Sequence, residues 1–301
     1  MDERDKTTRT TETTKNQQIP NDANGVILYQ GPSNLDNQPI VVIATGLKTK
    51  SSNAKTGAMV QTYILRSDIP PTEAIQTGED ASICGACPHR GQTVTVNNKI
   101  KNIGRTCYVN VGQGPRAVYD AYTRNLYPTA TKEQAAALLK DRYVRIGTYG
   151  DPMAAPAQVW LGFIRVVAGW TAYTHQWDNA VLNSCPAVIL AFQAICMASV
   201  DSEEEMREAH ARGWRTFRVG LLHDTQVRKT EALCPASAEA GRKLQCAQCL
   251  ACSGRGFGGG ADGSGRVGRS LSGSIYIPAH GGFAVMANVK KVSLKKLGEA
   301  A

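Results

Sequence analysis

Seven of the nine cysteines in this 301-residue chain fall into two groups whose spacing is typical of metal ligation. The first group is Cys84 and Cys87, with two residues between them, and Cys107 after nineteen more residues. The second group is a triplet with two residues between neighbours and a Cys-Pro eleven residues upstream, and its members are Cys234, Cys246, Cys249 and Cys252. Thiolates at such spacings bind iron–sulfur clusters or tetrahedral zinc.

The group of four has enough thiolates to saturate a [4Fe-4S] cluster. In bacterial-ferredoxin spacing the Cys-Pro follows the triplet, whereas here Cys234-Pro235 precedes it. A zinc ion held by four thiolates is the alternative, because that site also uses cysteines with two residues between them. The pattern favours iron–sulfur over zinc.

The group of three leaves one coordination position open for a substrate, a cofactor or another side chain. A cluster with an open iron can do chemistry that a saturated cluster cannot. His89, two residues after Cys87, is an alternative fourth ligand and would complete a zinc site of three thiolates and one imidazole. The remaining cysteines, Cys185 and Cys196, lie among apolar neighbours and are predicted to be buried as small hydrophobic residues.

The elements that must position these residues follow a strand-then-helix order from residue 141 onward. Short apolar runs predict strands at 144–146, 171–173, 194–198, 216–219 and 274–277. Capping-box pairs, Thr131 with Gln134 and Ser202 with Glu205, predict helix starts between the strands. The order predicts an α/β fold, a partial (β/α) barrel-like parallel sheet, preceded by N-terminal strands at 40–44 and 59–65.

Polar residues at the carboxyl ends of parallel strands are the first place to look for catalysis, because the loops there converge on one face. His175 follows the second predicted parallel strand, and His280 follows the last strand. Arg218 alternates with apolar neighbours inside the fourth strand, so in a barrel it would face the interior and bind a carboxylate or phosphate. We predict catalytic roles for these three residues.

Several motifs, in the same order, resemble the phage and plasmid "gene product 88" group of uncharacterised proteins. They are Asn53-Ala54-Lys55-Thr56-Gly57, Cys84-Gly85-Ala86-Cys87-Pro88, Cys107-Tyr108-Val109, Gly150-Asp151-Pro152, Tyr173-Thr174-His175-Gln176-Trp177, Gly213-Trp214-Arg215-Thr216-Phe217-Arg218, Cys234-Pro235-Ala236, the cysteine triplet and Ala279-His280-Gly281. The resemblance extends over roughly residues 40 to 282 and implies a phage or plasmid source.

The cysteine-then-barrel layout of that group is in turn similar to radical S-adenosylmethionine enzymes. This resemblance implies that the group of three holds the catalytic [4Fe-4S] cluster and that its open iron chelates S-adenosylmethionine. It also implies that Gly147, Gly150 and Asp151 bind the methionine amino group and that the group of four holds an auxiliary cluster. In that class the three cysteines share one short loop, whereas Cys107 lies far downstream of Cys87.

Composition predicts one metal-binding domain at 25–285, with a cysteine-rich insertion at 230–273, between a disordered polar arm at 1–24 and a basic tail at 286–301. The chain is 42% hydrophobic and lacks an apolar run long enough for a membrane helix or a secretion signal. This predicts no membrane partner and a cytoplasmic location, the host cytoplasm if the source is a phage. The net charge of +9, the basic tail and the Gly-rich segment 253–273 are compatible with a nucleic-acid partner.

Two functions remain open from the sequence. The first is an iron–sulfur enzyme, radical S-adenosylmethionine-like or redox, of unknown substrate. The second is a non-catalytic module in which zinc staples the fold and the basic segments bind nucleic acid. Positive residues are spread along the chain among Asp and Glu rather than concentrated, which favours the enzyme.

Overall fold

The computed structural model describes residues 18–220, 226–241, 244–255 and 273–279. The strands in these ranges are β1 Gly25–Pro32, β2 Pro39–Thr45, β3 Val60–Arg66, β4 Gln92–Val96, β5 Lys99–Ile103, β6 Tyr143–Tyr149, β7 Gly169–Thr174, β8 Met197–Val200, β9 Thr216–Gly220, β10 Glu231–Leu233 and β11 Ser274–Pro278. The α-helices are α1 Pro71–Thr77, α2 Ala81–Cys84, α3 Gly114–Thr123, α4 Lys132–Leu139, α5 Ala157–Leu161, α6 Ala180–Asn183, α7 Pro186–Ile195, α8 Glu203–Ala211 and α9 Cys246–Cys249.

Nine strands form one mostly parallel sheet in the order β1-β2-β3-β6-β7-β8-β9-β11-β10. Strands β1 to β3 pair antiparallel, and every neighbour from β3 to β10 pairs parallel. Strands β4 and β5 form a separate hairpin. The predicted α/β class and the parallel run are confirmed, and the described sheet does not close into a barrel.

The third predicted parallel strand, 194–198, combines the end of a helix with the start of a strand. Pro186 stands in the first turn of α7, and the apolar helix continues to Ile195 before β8 begins at Met197. Both parts are apolar and buried, so hydrophobicity alone does not separate them. Cys185, predicted to be buried, is exposed because it stands at the N-cap of α7, directly before Pro186.

Both predicted capping boxes start helices. At α4 the Thr131 side chain accepts the Gln134 N–H while the Gln134 side chain accepts the Thr131 N–H. At α8 the Ser202 hydroxyl accepts the Glu205 N–H, but the Glu205 carboxylate accepts the N–H of Asp201 instead. Asp201 is thereby held at the end of β8.

The described chain has two hydrophobic clusters. The larger one packs helices on β1 to β3 and β6 to β8. The smaller one gathers Met59, Met197, and Ile275 and Ile277 of β11 around three cysteines of the group of four. The protein interior therefore has two parts, and the smaller part is built around cysteines.

The last residues of the predicted N-terminal arm belong to the folded body. Ile19 packs against the main core, and the Asn24 side chain accepts the backbone N–H groups of Lys48 and Thr49. The rest of the arm, most of the Gly-rich segment and the basic tail lie outside the described residues. In the described ranges no helix has the length and apolar character needed to cross a bilayer.

Candidate functional site

A cavity of about 550 Å³ lies against one face of the parallel strands. Alternate residues of successive strands line it, namely Gln61, Arg145, Thr171, Tyr173, Ser199, Phe217, Val219 and Ile277. All seven predicted cysteine ligands also line it: Cys84, Cys87, Cys107, Cys234, Cys246, Cys249 and Cys252. Folding therefore brings both groups to one chamber.

The pair Cys84 and Cys87 is held at the carboxyl end of the sheet by a side chain from the end of β7. The fully buried Gln176 donates from Nε2 to the Cys84 carbonyl (2.9 Å) and accepts the Ala86 N–H at Oε1 (3.3 Å). Gly85 has φ 54°, and a Cβ there would come within 2.2 Å of Gln176 Oε1. Only glycine allows this contact.

Cys107 returns to the pair despite its distance in sequence. The His89 carbonyl accepts the N–H groups of both Thr106 (3.1 Å) and Cys107 (3.0 Å). Most of the intervening residues form the exposed β4–β5 hairpin, which leaves the site and comes back. The three cysteines therefore occupy one place although they do not share one short loop.

Two thiols of this group, Cys84 and Cys87, do not ionise readily without a cation. Burial raises the pKa of Cys84 well above its usual value, and the neighbouring Cys87 and Cys107 raise it further. Burial also raises the pKa of Cys87 to about 12. Thiols with raised pKa values are poor nucleophiles and poor redox sensors, whereas a bound metal ionises a coordinating thiol directly.

The triplet of the group of four is shaped by one short helix. Cys246 and Cys249 are the two ends of α9, and Leu250 in the left-handed conformation (φ 52°) reverses the chain toward Cys252. The carbonyl of Cys252 then accepts the N–H of Ala172 in β7 (3.0 Å). The triplet is thereby fastened to the central sheet.

Two further segments complete the group of four. The Lys55 carbonyl accepts the Cys246 N–H (2.9 Å), which attaches the 53–57 loop to the first turn of α9. The Cys234 N–H donates to the Tyr276 carbonyl of β11 (2.8 Å). Cys234 lies beside the triplet, in the same buried cluster as Cys246 and Cys252.

The group of four has basic neighbours. Burial raises the pKa of Cys246, while the charges of Arg145 and Lys55 lower it. Burial raises the pKa of Cys252 to about 12, and a hydrogen bond with Tyr173 opposes that rise. The Arg145 guanidinium lies 5.7 Å from the centre of the Tyr173 ring, so a positive charge is placed beside these sulfurs.

The predicted cofactor-binding residues Gly147, Gly150 and Asp151 all line the cavity. Both glycines have positive φ (72° and 82°), and a Cβ on Gly150 would come within 2.7 Å of Ile64. Burial raises the pKa of Asp151 to about 6. Its carboxylate accepts the Thr174 hydroxyl (2.8 Å) and two backbone N–H groups, so it joins the end of β6 to the end of β7.

His175 lies at the cavity beside the group of three. Its Nε2 is buried and has no hydrogen-bond partner among the described residues. Burial lowers the pKa of His175 to about 4, which keeps the ring neutral near pH 7. The His175 ring meets the His89 ring edge to face, with centroids 5.5 Å apart.

The structure does not bring Arg218 to the cavity. Its neighbours Phe217 and Val219 face the cavity, while Arg218 points to the opposite side of β9. There the fully buried guanidinium pairs with Glu231 through two contacts of 2.7 Å and lies 4.6 Å from the Tyr276 ring. The buried ion pair gives Arg218 a structural role. His280 lies outside the described residues.

Sequence reasoning gave no role to Arg145, Gln176 or Lys55. Arg145 had a signal, because a charged residue stands between Val144 and Ile146 in a strand otherwise predicted to be buried. Gln176 and Lys55 act through pairings between distant segments, for which a single sequence carries no signal. No family model, curated protein or solved structure matches the chain.

Proposed function

We propose that this chain is an iron–sulfur enzyme with two [4Fe-4S] clusters, in which the cluster on Cys84, Cys87 and Cys107 performs radical S-adenosylmethionine-like or redox chemistry. The group of four would hold a saturated auxiliary cluster. The observation that carries the proposal is that seven sulfurs from four separate segments line one cavity as a group of three and a group of four.

The contacts of His89 support iron over zinc at the group of three. A zinc site of three thiolates and one imidazole would need a His89 ring nitrogen directed at the cysteine sulfurs. His89 Nδ1 lies 2.8 Å from the Thr106 hydroxyl, and Nε2 lies 2.9 Å from the Asp201 carboxylate. A four-iron cluster bound by three thiolates needs no such ligand.

The distribution of charge supports one saturated and one open cluster. Four thiolates give a cluster one more negative charge than three do. The group of four has Lys55 and Arg145 beside it, and both lower the pKa of Cys246. Cations placed there stabilise the more negative centre.

The strand order supports the radical-enzyme comparison. Strands β3, β6, β7, β8 and β9 are neighbours in sequence order, as in a partial barrel, and the group of three lies at their carboxyl ends. When bound, an open four-iron cluster supplies single electrons for the cleavage of S-adenosylmethionine. The residues of this chain would then bind and orient: Gly147 and Gly150, both with positive φ, shape the turn that brings Asp151 to the cavity, and Asp151 fixes the end of β7.

Metal content tests the proposal. Protein purified and reconstituted without oxygen should contain about eight irons and eight sulfides, two four-iron clusters per chain. S-adenosylmethionine should change the electron paramagnetic resonance spectrum of the reduced wild type but not of Cys107→Ser, while Cys185→Ser, outside both groups, serves as the matched control. Stoichiometric zinc without iron would refute the proposal and favour the zinc module, whose basic segments lie outside the described residues.

A further inference from the structure

Three ligand-type side chains meet at the carboxyl ends of β7 and β8. One ligand atom from each of His89, His175 and Asp201 lies within 4.8 Å of the other two. We propose that this trio binds one divalent transition-metal ion, at a site separate from the two cysteine groups but open to the same cavity. The proposal goes beyond the iron–sulfur function and does not depend on iron at the cysteines.

His89 is oriented as a metal-binding histidine usually is. Its Nδ1 is 2.8 Å from the Thr106 hydroxyl, which turns Nε2 toward the Asp201 carboxylate, 2.9 Å away. In protein metal sites the second ring nitrogen is commonly fixed by such a hydrogen bond. Thr106 precedes Cys107, so the chain segment that closes the group of three also orients His89.

His175 supplies the observation that points to a ligand. Its backbone N–H donates to Asp151 (2.8 Å), which fixes the chain where the side chain leaves β7. Its Nε2 is sealed from solvent without a hydrogen bond to any described residue. Leaving such an atom unsatisfied is unfavourable, because it has lost its hydrogen bonds to water, and a metal ion at the trio would remove that cost.

Asp201 is positioned by a neighbouring acid. The Glu205 carboxylate accepts the Asp201 N–H (2.7 Å) and so places Asp201 directly after β8. A carboxylate between two imidazoles favours a cation over an anion at this point. Each of the three ligands is thus held by a residue outside the trio, which is the arrangement of a preorganised metal site.

The donor set indicates the class of metal. Two imidazoles and one carboxylate suit iron(II), manganese(II) and related ions and leave further coordination positions open. His89 and His175 both line the cavity, so an oxygen or nitrogen of a bound substrate could occupy one of those positions. No cysteine sulfur belongs to this group of atoms within the described residues.

Manganese(II) is the probe, because it prefers nitrogen and oxygen ligands to thiolates. It would be titrated into the anaerobically reconstituted protein, and free manganese would be followed by electron paramagnetic resonance. We expect one bound ion per chain and at least a tenfold loss of affinity in His175→Gln and in Asp201→Asn. His210→Gln and Asp120→Asn, which change the same residue types outside the trio, should bind as the wild type does.

Three outcomes would overturn the proposal: wild-type protein that binds no manganese, variants that bind it as tightly as the wild type, or a His175→Gln change that alters the cluster spectrum. The last result would make His175 a cluster ligand. If His175→Gln fails to fold, the manganese affinity of Asp201→Asn tests the proposal, because that change keeps the shape of the side chain. If the reconstituted protein takes up no iron but still binds manganese at the trio, the proposed function is refuted and this metal site stands.

Discussion

The two cysteine groups share one cavity but are held in different ways. The group of four lies inside a hydrophobic cluster, where Cys234 and Cys252 are 5% and 7% exposed. The group of three is more open and is held at the carboxyl ends of the strands by Gln176, which donates to the Cys84 carbonyl, and by the His89 carbonyl, which accepts the Cys107 N–H. A centre within a core contributes to folding, whereas a centre at an edge is accessible to a ligand.

The charges around the two groups also differ. Asp151 and Asp201 raise the pKa of Cys87. Lys55 and Arg145 act in the opposite direction on Cys246. The cavity therefore has an acidic end at the group of three and a basic end at the group of four. This arrangement is expected if the two groups hold centres that differ in charge and in function.

The largest expected effect comes from replacing one ligand in each group and comparing the melting temperatures of the two variants. Cys252→Ser and Cys107→Ser should each remove about four irons per chain, because each loses one ligand of one cluster. Cys252→Ser should also lower the melting temperature by about 10 °C, equivalent to roughly 3–5 kcal/mol, since its cluster is part of a core. Cys107→Ser should lower it by less than about 3 °C. Iron analysis and anaerobic thermal unfolding measure both quantities.

Cys185→Ser is the control for these variants. Cys185 is exposed and belongs to neither group, so both its iron content and its melting temperature should match those of the wild type. If the two ligand variants melted at the same temperature, the division into a stabilising centre and an accessible centre would be wrong.

A smaller effect concerns the basic end. Arg145→Gln should lower the reduction potential of the cluster on the group of four by roughly 60 mV, because a nearby positive charge stabilises the reduced, more negative form. The reduction potential of the cluster on the group of three should not change. In Arg145→Lys, which keeps the positive charge, the cluster on the group of four should have the wild-type potential. A redox titration followed by electron paramagnetic resonance separates the two. Equal shifts in both clusters would show that Arg145 does not distinguish them.

The sequence predicted the parallel sheet because its strands are short, apolar and separated by helix-capping residues such as Thr131 and Ser202. The Cys-x-x-Cys spacings are a local signal, and the structure places all seven predicted cysteines along one cavity. That they bind metal stays a prediction. The alternation in β9 predicts that Arg218 faces the interior of a partial barrel, but Phe217 and Val219 face the cavity instead, and Arg218 pairs with Glu231 on the opposite face.

The long-range contacts could not be predicted from one sequence. The attachment of the 53–57 loop to α9 and the contact of Gln176 with Gly85 join residues that lie far apart in the chain. The metal-ligand trio was also missed. His175 stands out by its place after a strand, but Asp201 directly precedes the predicted capping box of Ser202 and Glu205, and His89 is explained as a possible ligand of the group of three.

The smallest expected effect concerns the contact that joins β9 to β11, the strand next to Cys234. His210 Nε2 lies 2.8 Å from the Ser274 hydroxyl, which holds β11 beside β9. Burial lowers the pKa of His210 below its usual 6.5, so near pH 6 the unfolded chain binds a proton that the folded chain does not. The contribution of neutral His210 to stability is therefore complete above about pH 6.5 and is lost as the pH falls from there toward the lower pKa of the folded state. In thermal unfolding at about pH 7.5 and about pH 5.5, the wild type should lose more stability than His210→Gln. Equal losses would show that His210 does not link β11 to β9 in a pH-dependent way.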